Sequence, residues 1–326
     1  MYFIHLYQSE SAHAAAHSYN NSNYQKPWLG LTHGKRDISY NLPPNWTKGY
    51  LCFEAIDDCT FSFTGLYANS AKTLSYSADS GRTWHSLAHQ EQTPLVKAGD
   101  KIMFKGSLSS AYDEFSAGTC TWSSVGRFNA MGNPMSVIRP NDFSTATTCT
   151  YGSLKDFFRD CTGLTSARDL QLIATTVETN AYWRMFFNCT NLVSAPEISA
   201  TTVNSFGFEA MFSGCTSLVT PPSKLLPTSL SMGAYRSMFA DCSSLTYSPV
   251  IYAKTGATSC MSYMFSRCVN LTEISCKFTQ ATQTKTDQWV NMVSSTGTFY
   301  KVVSASWPSG INGIPSGWTV VDAFKS

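Results

Sequence analysis

Apolar positions follow two different periods along the chain. Between residues 48 and about 140, runs such as LCFEA, KTLSYS, KIMFKG and GRFNAMG alternate apolar and polar residues, and DD, DSG, AGD and GN turn signals separate them. Alternation with period two is typical of half-buried strands, and strands at this spacing favour a sandwich. We therefore predict an all-β sandwich domain over residues 48–145.

From about residue 150 the apolar pattern repeats with a longer period. The phrase MFFNCTNLVSAP at 185–196 recurs as MFSGCTSLVTPP, MFADCSSLTYSP and MFSRCVNLTEIS, with a weaker version, FFRDCTGLTSAR, at 157–168. The aligned cysteines lie 28, 26, 27 and 26 residues apart, and a steady period of this length predicts a solenoid, which we place at residues 146–326. The repeat positions are Cys161, Cys189, Cys215, Cys242, Cys268, Leu164, Leu192, Leu218, Leu245 and Leu271.

The residues around each repeated cysteine predict a helix followed by a short strand. In one repeat the spacing is 3, 1, 3 and 3 residues, which forms one apolar stripe on an α-helix. The residues of this stripe are Phe208, Met211, Phe212, Cys215 and Leu218. Because residues 150–326 contain no histidine that could serve as a base or a metal ligand, we interpret the repeated cysteines as small core residues.

The first 47 residues have a pattern of their own. YFIHLY predicts a strand, SESAHAAAHSY a helix with a Ser N-cap, and KPWLGLTHGKRDISYN a hairpin. His13 and His17 are four residues apart on the helix, but no carboxylate or third histidine lies nearby, so we interpret them as a solvated face. The predicted fold class is therefore α+β multidomain, with a strand-helix-hairpin module at residues 1–47, the sandwich and the solenoid.

Charge and hydropathy narrow the classes of partner. The net charge is +2, charged residues make up 13%, and no run of Lys or Arg could neutralise several phosphates, so we expect no nucleic-acid partner. No apolar stretch approaches the roughly 20 residues that cross a bilayer, and the opening residues lack the basic region of a signal peptide. We expect no membrane partner.

Motifs for catalysis are missing from the sequence. It contains no GxSxG, HExxH or P-loop motif, and all six histidines precede residue 90. Asp57 and Asp58 are adjacent carboxylates, which we interpret as part of a turn. We expect no enzyme activity, no catalytic or metal site and no cofactor.

The cysteines outside the repeat leave disulfides open. An odd total of 11, with five members in register, favours thiols in the repeats. Cys52 and Cys59 are seven apart in what we predict to be one strand, so they should point to opposite faces and not bond to each other. Pairing of Cys120 or Cys149 is not decided by the sequence.

The MFxxCxxLxxxP phrase resembles the BspA-like leucine-rich repeat of surface proteins from gut and oral Bacteroidetes and their phages. The closing stretch GTFYKVVSASWPSGINGIPSGWTVVD is similar to the C-terminal cap of such arrays. TFSFTG, LSYSADSGRTW, VKAGDKIMFKG and GRFNAMGNPMSVI are similar to the domain that precedes the repeats. The resemblance covers roughly residues 48–322 and implies a leucine-rich-repeat fold with a role in adhesion, host-cell contact or virion structure.

Two functions are compatible with this resemblance. The first is a phage virion structural protein of the head or tail fibre type, located at the virion surface and attached through residues 1–47 to other virion proteins. Such a protein needs no export signal, and because fibres are usually homotrimers, we expect a homo-oligomer, with a trimer as one form. The alternative is an adhesin at the bacterial cell surface. In both, the repeats would bind a bacterial glycan or protein through exposed aromatic residues that break the repeat register, namely Trp183, Phe206, Tyr247 and Tyr252.

Overall fold

The structure is a computed structural model of the 326-residue chain, and it describes residues 49–64, 74–108 and 121–325. These residues all fall in one compact unit, Ser39–Ser326. The predicted strand-helix-hairpin module at residues 1–47, with His13 and His17, lies outside the described residues.

Seven strands form the first part of the described chain, which we call the sheet region (residues 49–132). They are β1 (Leu51–Ala55), β2 (Thr60–Thr64), β3 (Leu74–Ser77), β4 (His85–Leu87), β5 (Lys101–Gly106), β6 (Thr121–Val125) and β7 (Phe128–Gly132). β4, β3, β5, β1 and β7 pair antiparallel in that order, and β2 pairs with β6 as a separate antiparallel ribbon.

The core of the sheet region is built from aromatic rings. Phe53 on β1 is fully buried, and its ring lies 4.7–5.8 Å from five other rings. These rings come from both sheets and from the first repeat: Phe61, Phe104, Trp122, Phe128 and Phe158. Period-two alternation explains this packing, because it directs one side of each strand inward.

Short strands continue through the second part, which we call the repeat region (residues 148–325). They are β8 (Thr148–Cys149), β9 (Leu164–Leu170), β10 (Thr176–Val177), β11 (Thr202–Val203), β12 (Lys224–Leu225), β13 (Ser229–Leu230), β14 (Tyr247–Ile251), β15 (Thr255–Gly256), β16 (Glu273–Cys276), β17 (Thr298–Val302) and β18 (Thr319–Phe324). All their pairings are parallel, and the sheet orders are β11-β10-β8, β13-β15 and β12-β14-β16-β17-β18. Equivalent positions of successive repeats pair, as in Thr176 with Thr202.

The predicted α+β class is wrong. Among the described residues the only α-helix is α1 (Gln283–Thr286), a single turn, and the described chain consists mainly of strands and turns in several sheets. The leucine-rich-repeat solenoid with a helix in each repeat is therefore not formed as predicted. The stripe from Phe208 to Leu218, predicted to be helical, is a succession of turns.

Backbone conformation explains why no helix forms. In one repeat every fourth residue has a positive φ: 57° at Asn180, 53° at Arg184 and 59° at Asn188. An α-helix requires negative φ throughout, so each of these residues interrupts it. We call the corresponding segments the turn ladder: residues 152–160, 180–188, 206–214, 233–241 and 259–267.

Hydrogen bonds of the turn ladder run in two directions. The N–H groups of Arg184 and Phe186 donate to carbonyls of the next repeat, at 3.0 Å to Glu209 O and 2.8 Å to Met211 O. The N–H of Met185, which lies between them, donates back to the carbonyl three residues earlier, at 3.1 Å. Backbone groups are therefore satisfied only when repeats stack, since half of the partners belong to the neighbouring repeat.

Stacking places identical side chains on top of one another. The rings of Phe158, Phe186, Phe212, Phe239 and Phe265 form a column with centroid separations of 5.1–5.6 Å and interplanar angles of 4–16°. The five repeated cysteines and five repeated leucines are also buried. One hydrophobic core runs from the sheet region through the repeats, and β7 pairs in parallel with β9 across the predicted boundary at residue 145.

The repeated cysteines make a specific contact between repeats. The thiols of Cys189, Cys215, Cys242 and Cys268 donate to phenylalanine carbonyls of the preceding repeat at 2.9–3.1 Å. Burial raises the pKa of the Cys161 thiol to about 12 and raises the pKa of Cys189 well above its ordinary value. The four thiols that make these bonds are protonated donors in the core, which is a role that a small hydrophobic residue could not fill.

The other cysteines are also free thiols where the structure describes them. Cys52, Cys59 and Cys149 are buried and free, and Cys120 lies outside the described residues. A bend at residues 56–58 separates Cys59 from β1, so the single strand predicted for Cys52 and Cys59 is wrong. Cys52 packs in a small separate cluster with Met103, whereas Cys59 belongs to the main core.

Candidate functional site

The four candidate aromatic residues lie on two different parts of the repeats. Trp183 and Phe206 belong to the turn ladder, whereas Tyr247 begins β14 and Tyr252 follows it. All four are half-buried. The structure therefore does not bring them together into one site, and each has its own surroundings.

Trp183 lies in a group of charged side chains that we call the Trp183 cluster: Lys155, Asp156, Arg159, Trp183 and Arg184. Lys155 Nζ is 4.3 Å from the centroid of the Trp183 ring, and Arg184 Cζ is 4.2 Å from it. Both distances are within the range of a cation–π interaction, which is stronger for tryptophan than for the other aromatic side chains.

The repeat period positions these residues. Lys155 and Trp183 hold the same place in two successive repeats, 28 residues apart, and so do Asp156 and Arg184. The N–H of Asp156 donates to the carbonyl of Trp183 at 2.9 Å, which fixes the two repeats side by side. The lysine therefore stacks against the ring, and the carboxylate pairs with the arginine one repeat away.

Asp156 is the buried centre of the cluster. Its side chain is 8% exposed, and Arg184 approaches with Nε 2.9 Å from Oδ1 and Nη2 3.1 Å from Oδ2. Arg159 contributes Nη1 at 3.9 Å from Oδ1. Burial raises the pKa of Asp156, and the positive charges of Arg184, Lys155 and Arg159 oppose this rise.

Lys155 differs from the two arginines in its partners. Arg184 pairs with Asp156, and Arg159 Nε lies 3.2 Å from Asp160 Oδ2. Within the part of the chain that the structure describes, Lys155 makes no salt bridge, and its contact is with the Trp183 ring. Burial lowers the pKa of Lys155, and Asp156 acts in the opposite direction.

Phe206 lies beside one arginine and one carboxylate, whose charges cancel. Arg236 Cζ is 5.3 Å from the ring centroid, and Arg236 Nε donates to Glu209 Oε1 at 2.9 Å. Gly233 of the next repeat packs against the ring so closely that a Cβ there would be 2.4 Å from two ring carbons. One part of the ring is therefore covered by the next repeat, which makes Phe206 a packing contact between repeats.

Tyr252 and Tyr247 lie at the sheet that ends in β18. Lys277 Nζ is 3.7 Å from the Tyr252 centroid and 5.2 Å from that of Phe324 on β18. Tyr247 pairs in register with Glu273 on β16. Lys277 therefore contacts two rings. At Trp183 the reverse holds, because two cations contact one ring.

The sequence analysis did not predict the charged residues around Trp183 and Phe206, although the sequence contains a signal for them. An acidic residue is followed one period later by an arginine three times: Asp156 and Arg184, Glu209 and Arg236, Asp241 and Arg267. Each of these pairs forms a salt bridge between successive repeats. Aligning the charged residues with the period of the cysteines would have identified these three pairs.

The adjacent carboxylates Asp57 and Asp58 make structural contacts. Asp57 pairs with Arg127 and Asp58 with Lys97, each at 2.8 Å, around the bend that separates β1 from β2. No group of three or more His, Cys, Asp or Glu among the described residues is arranged to hold a metal ion. The groups around Trp183, Phe206 and Tyr252 that could bind a ligand are therefore cations beside aromatic rings.

Comparisons of the chain with family models, with curated proteins and with solved structures find no match in any of the three. The resemblance to BspA-like repeats therefore remains a prediction. In the part of the chain that the structure describes, no helix has both the length and the apolar character needed to span a bilayer.

Proposed function

We propose that the chain is a non-enzymatic virion structural protein of the head or tail fibre type, which presents its repeats to the surface of a host bacterium. The observation that carries this proposal is the Trp183 cluster, where a half-buried ring and three cations lie at a surface formed by two repeats. Aromatic rings and charge-assisted hydrogen bonds are common elements of recognition surfaces.

The repeat region supports a display function physically. Because half of the turn-ladder N–H groups bond to the neighbouring repeat, the surface is held by the stack as a whole. A rigid surface loses little conformational entropy when it binds, which favours recognition of an extended ligand. Residues 1–47 are proposed as the attachment to other virion proteins, and the assembly is proposed to be a homo-oligomer, with a trimer as the first form to test.

The state of the cysteines favours a virion protein over a secreted adhesin. All ten described cysteines are free and buried. Proteins assembled in the reducing interior of a cell keep their thiols, whereas disulfides form in oxidising compartments. A fibre protein folds inside the infected host, which agrees with this chemistry.

Cell binding tests the display function. The purified chain, labelled with a fluorophore, is expected to bind intact cells of a gut Bacteroidetes strain panel and to bind less after periodate treatment of the surface glycans. A matched chain that lacks residues 1–47 should bind the same cells equally. If neither chain binds any strain of the panel, the display function is wrong.

Attachment is tested by incorporation into particles. The chain without residues 1–47 should stay folded and should fail to incorporate into virions produced by a phage that encodes the full chain. Normal incorporation of the shortened chain would contradict the role proposed for residues 1–47. Detection of the chain on the cell envelope in uninfected bacteria would instead favour the adhesin.

A further inference from the structure

The two ends of the repeat stack are covered differently. At the first repeat the sheet region packs against the stack, because the N–H of Trp122 donates to the carbonyl of Phe157 at 3.0 Å and β7 pairs in parallel with β9. At the other end, β18 is the last strand of its sheet and pairs only with β17 among the described strands. The N–H and C=O groups of β18 that point away from β17 therefore form an open strand edge.

Both faces of β18 carry apolar side chains at positions that earlier strands of the sheet keep buried. Parallel pairing places Ile274, Phe299 and Val320 on one face. The first two are fully buried, whereas Val320 is 46% exposed. On the opposite face Tyr300 is buried, and its partner Val321 is 36% exposed. Among the described residues no further strand pairs beyond β18, so both valines lie uncovered at the end of the sheet.

Exposed apolar residues are concentrated near this end of the chain. Twelve large apolar side chains of the described residues are exposed, and four of them lie between residues 303 and 321. These four are Val303, Ile311, Val320 and Val321. The terminal unit of a soluble repeat stack normally presents a polar outer face, so an apolar one indicates a surface that another molecule covers.

The open edge is regular and carries no net charge. Asp322 is the charged residue within β18, and it accepts a bond from Lys301 Nζ on β17 at 2.6 Å, so the two charges cancel. Residues 319–322 pair regularly with residues 298–301 before the register shifts. A neutral strand with apolar residues on both faces is suited to pair with its own copy, in a register that keeps Asp322 from lying opposite itself.

We propose that β18 joins two copies of this chain through an antiparallel pair of β18 strands related by a two-fold axis. A copy cannot stack its first repeat on the β18 of another, because its own sheet region already covers that end. A two-fold contact closes after one pairing, whereas a head-to-tail contact would continue into a filament. This inference rests on the homo-oligomer of the proposed function and assigns one of its interfaces.

A charge at the edge tests the interface in the full chain. Sedimentation velocity over a range of concentrations is expected to show dimers of the wild type. Val321→Lys should raise the dissociation constant of the dimer at least about tenfold, because lysine at a strand edge opposes pairing with an identical strand. Val193→Lys is the matched control: Val193 is 44% exposed on another repeat, and its substitution should leave the dimer intact.

Thermal melts separate loss of pairing from loss of fold. Val193 and Val321 are both exposed, so both lysine variants should melt as the wild-type monomer does at a concentration where it does not associate. Equal effects of the two substitutions on association would overturn the interface. A wild-type chain that stays monomeric at all concentrations would also overturn it, and would show that the edge is covered in another way.

Cross-linking locates the contact. In an antiparallel pair centred on Val320 or Val321, that residue lies opposite its own copy, with Cα atoms about 4.5–5.5 Å apart. A disulfide bridges this separation. Val320→Cys or Val321→Cys should therefore form a covalent dimer under mild oxidation, and Val193→Cys and the wild type should not. If neither variant at β18 forms a covalent dimer faster than Val193→Cys, the strands do not pair.

The outcomes distinguish this interface from the proposed function. If the chain forms trimers that Val321→Lys leaves intact, the β18 interface fails while the homo-oligomer stands. Cell binding and incorporation into particles do not depend on the sedimentation results. If the chain dimerises through β18 but neither binds cells nor enters virions, the interface stands and the display function fails.

Discussion

The sheet region and the repeat region bury aromatic rings in two different ways. Phe53 meets its five neighbours at interplanar angles of 50–85°, through tilted and edge contacts. The phenylalanine column of the repeats is stacked, with angles of 4–16°. Rings in the sheet region come from unrelated positions, whereas rings in the column come from the same position of successive repeats and so keep the same orientation.

The two regions also differ in how the hydrogen-bonding groups of their backbones find partners. In the sheet region, antiparallel strands supply the partners, and each side chain can be chosen independently. In the repeat region, N–H groups of one repeat need the carbonyls of the next, and one position recurs about every 27 residues. Loss of a side chain should therefore spread through the sheet region but remain near the altered repeat in the stack.

The largest expected effect comes from removing one ring in each region. Phe53→Ala and Phe212→Ala should each cost about 3–5 kcal/mol of unfolding free energy, because both rings are fully buried. Hydrogen exchange should show lost protection throughout the sheet region for Phe53→Ala, and only in the repeats next to residue 212 for Phe212→Ala. Loss of protection across all repeats in the second variant would show that the stack unfolds as one unit.

The second-largest effect compares the repeated leucine and the repeated cysteine of one repeat. Leu218→Ala should cost about 2–5 kcal/mol, because it leaves a large void. Cys215→Ala should cost about 1–2 kcal/mol, from a smaller void and the lost bond to Phe186 O. Urea unfolding measures both, with Cys215→Ser as a control that keeps a donor. Equal losses for Leu218→Ala and Cys215→Ala would contradict the small-void interpretation of the cysteine column.

Glycine substitution distinguishes the turn ladder from a helix by the sign of the effect. Ser237 has a φ of 54°, so Ser237→Gly should stabilise the protein by about 0.5–1 kcal/mol through relief of the left-handed backbone. Ser213→Gly, the matched control at a position without positive φ, should destabilise it by a similar amount. Thermal melts measure both. If both substitutions destabilise, the segment behaves as a helix.

The smallest effect concerns a turn of the sheet region that is held by a side chain. Asp79 accepts bonds from the hydroxyl and N–H of Thr83 and from the Ser77 hydroxyl, and these bonds hold its pKa well below the ordinary value. A lowered folded-state pKa contributes stability above the ordinary pKa of about 3.9, and that stability is lost as pH falls. The wild type should be more stable than Asp79→Asn at pH 7, and the difference should shrink below about pH 4. A constant difference in urea midpoint from pH 2 to 7 would exclude this role.

Sequence reasoning found the repeats but not the conformation within them. The intervals between Cys161, Cys189 and Cys215 identified which residues are equivalent, because stacking requires the same small residue at the same place. The helix predicted for residues 208–218 was wrong, because a 3, 1, 3, 3 spacing of apolar residues fits one face of a helix and also the inner side of the turn ladder. Neither the left-handed residues nor the cations around Trp183 follow from apolar spacing.

The sequence by itself determined the period, the alternating strands of the sheet region and the set of apolar residues at equivalent repeat positions, since these depend on which residues avoid water. Only the tertiary structure decided the backbone of the turn ladder and the composition of the Trp183 cluster. The N–H of Arg184 bonds to a carbonyl in the next repeat, and Lys155 meets Trp183 from the repeat before. Partners about 27 residues away select these conformations, and local sequence preference cannot specify them.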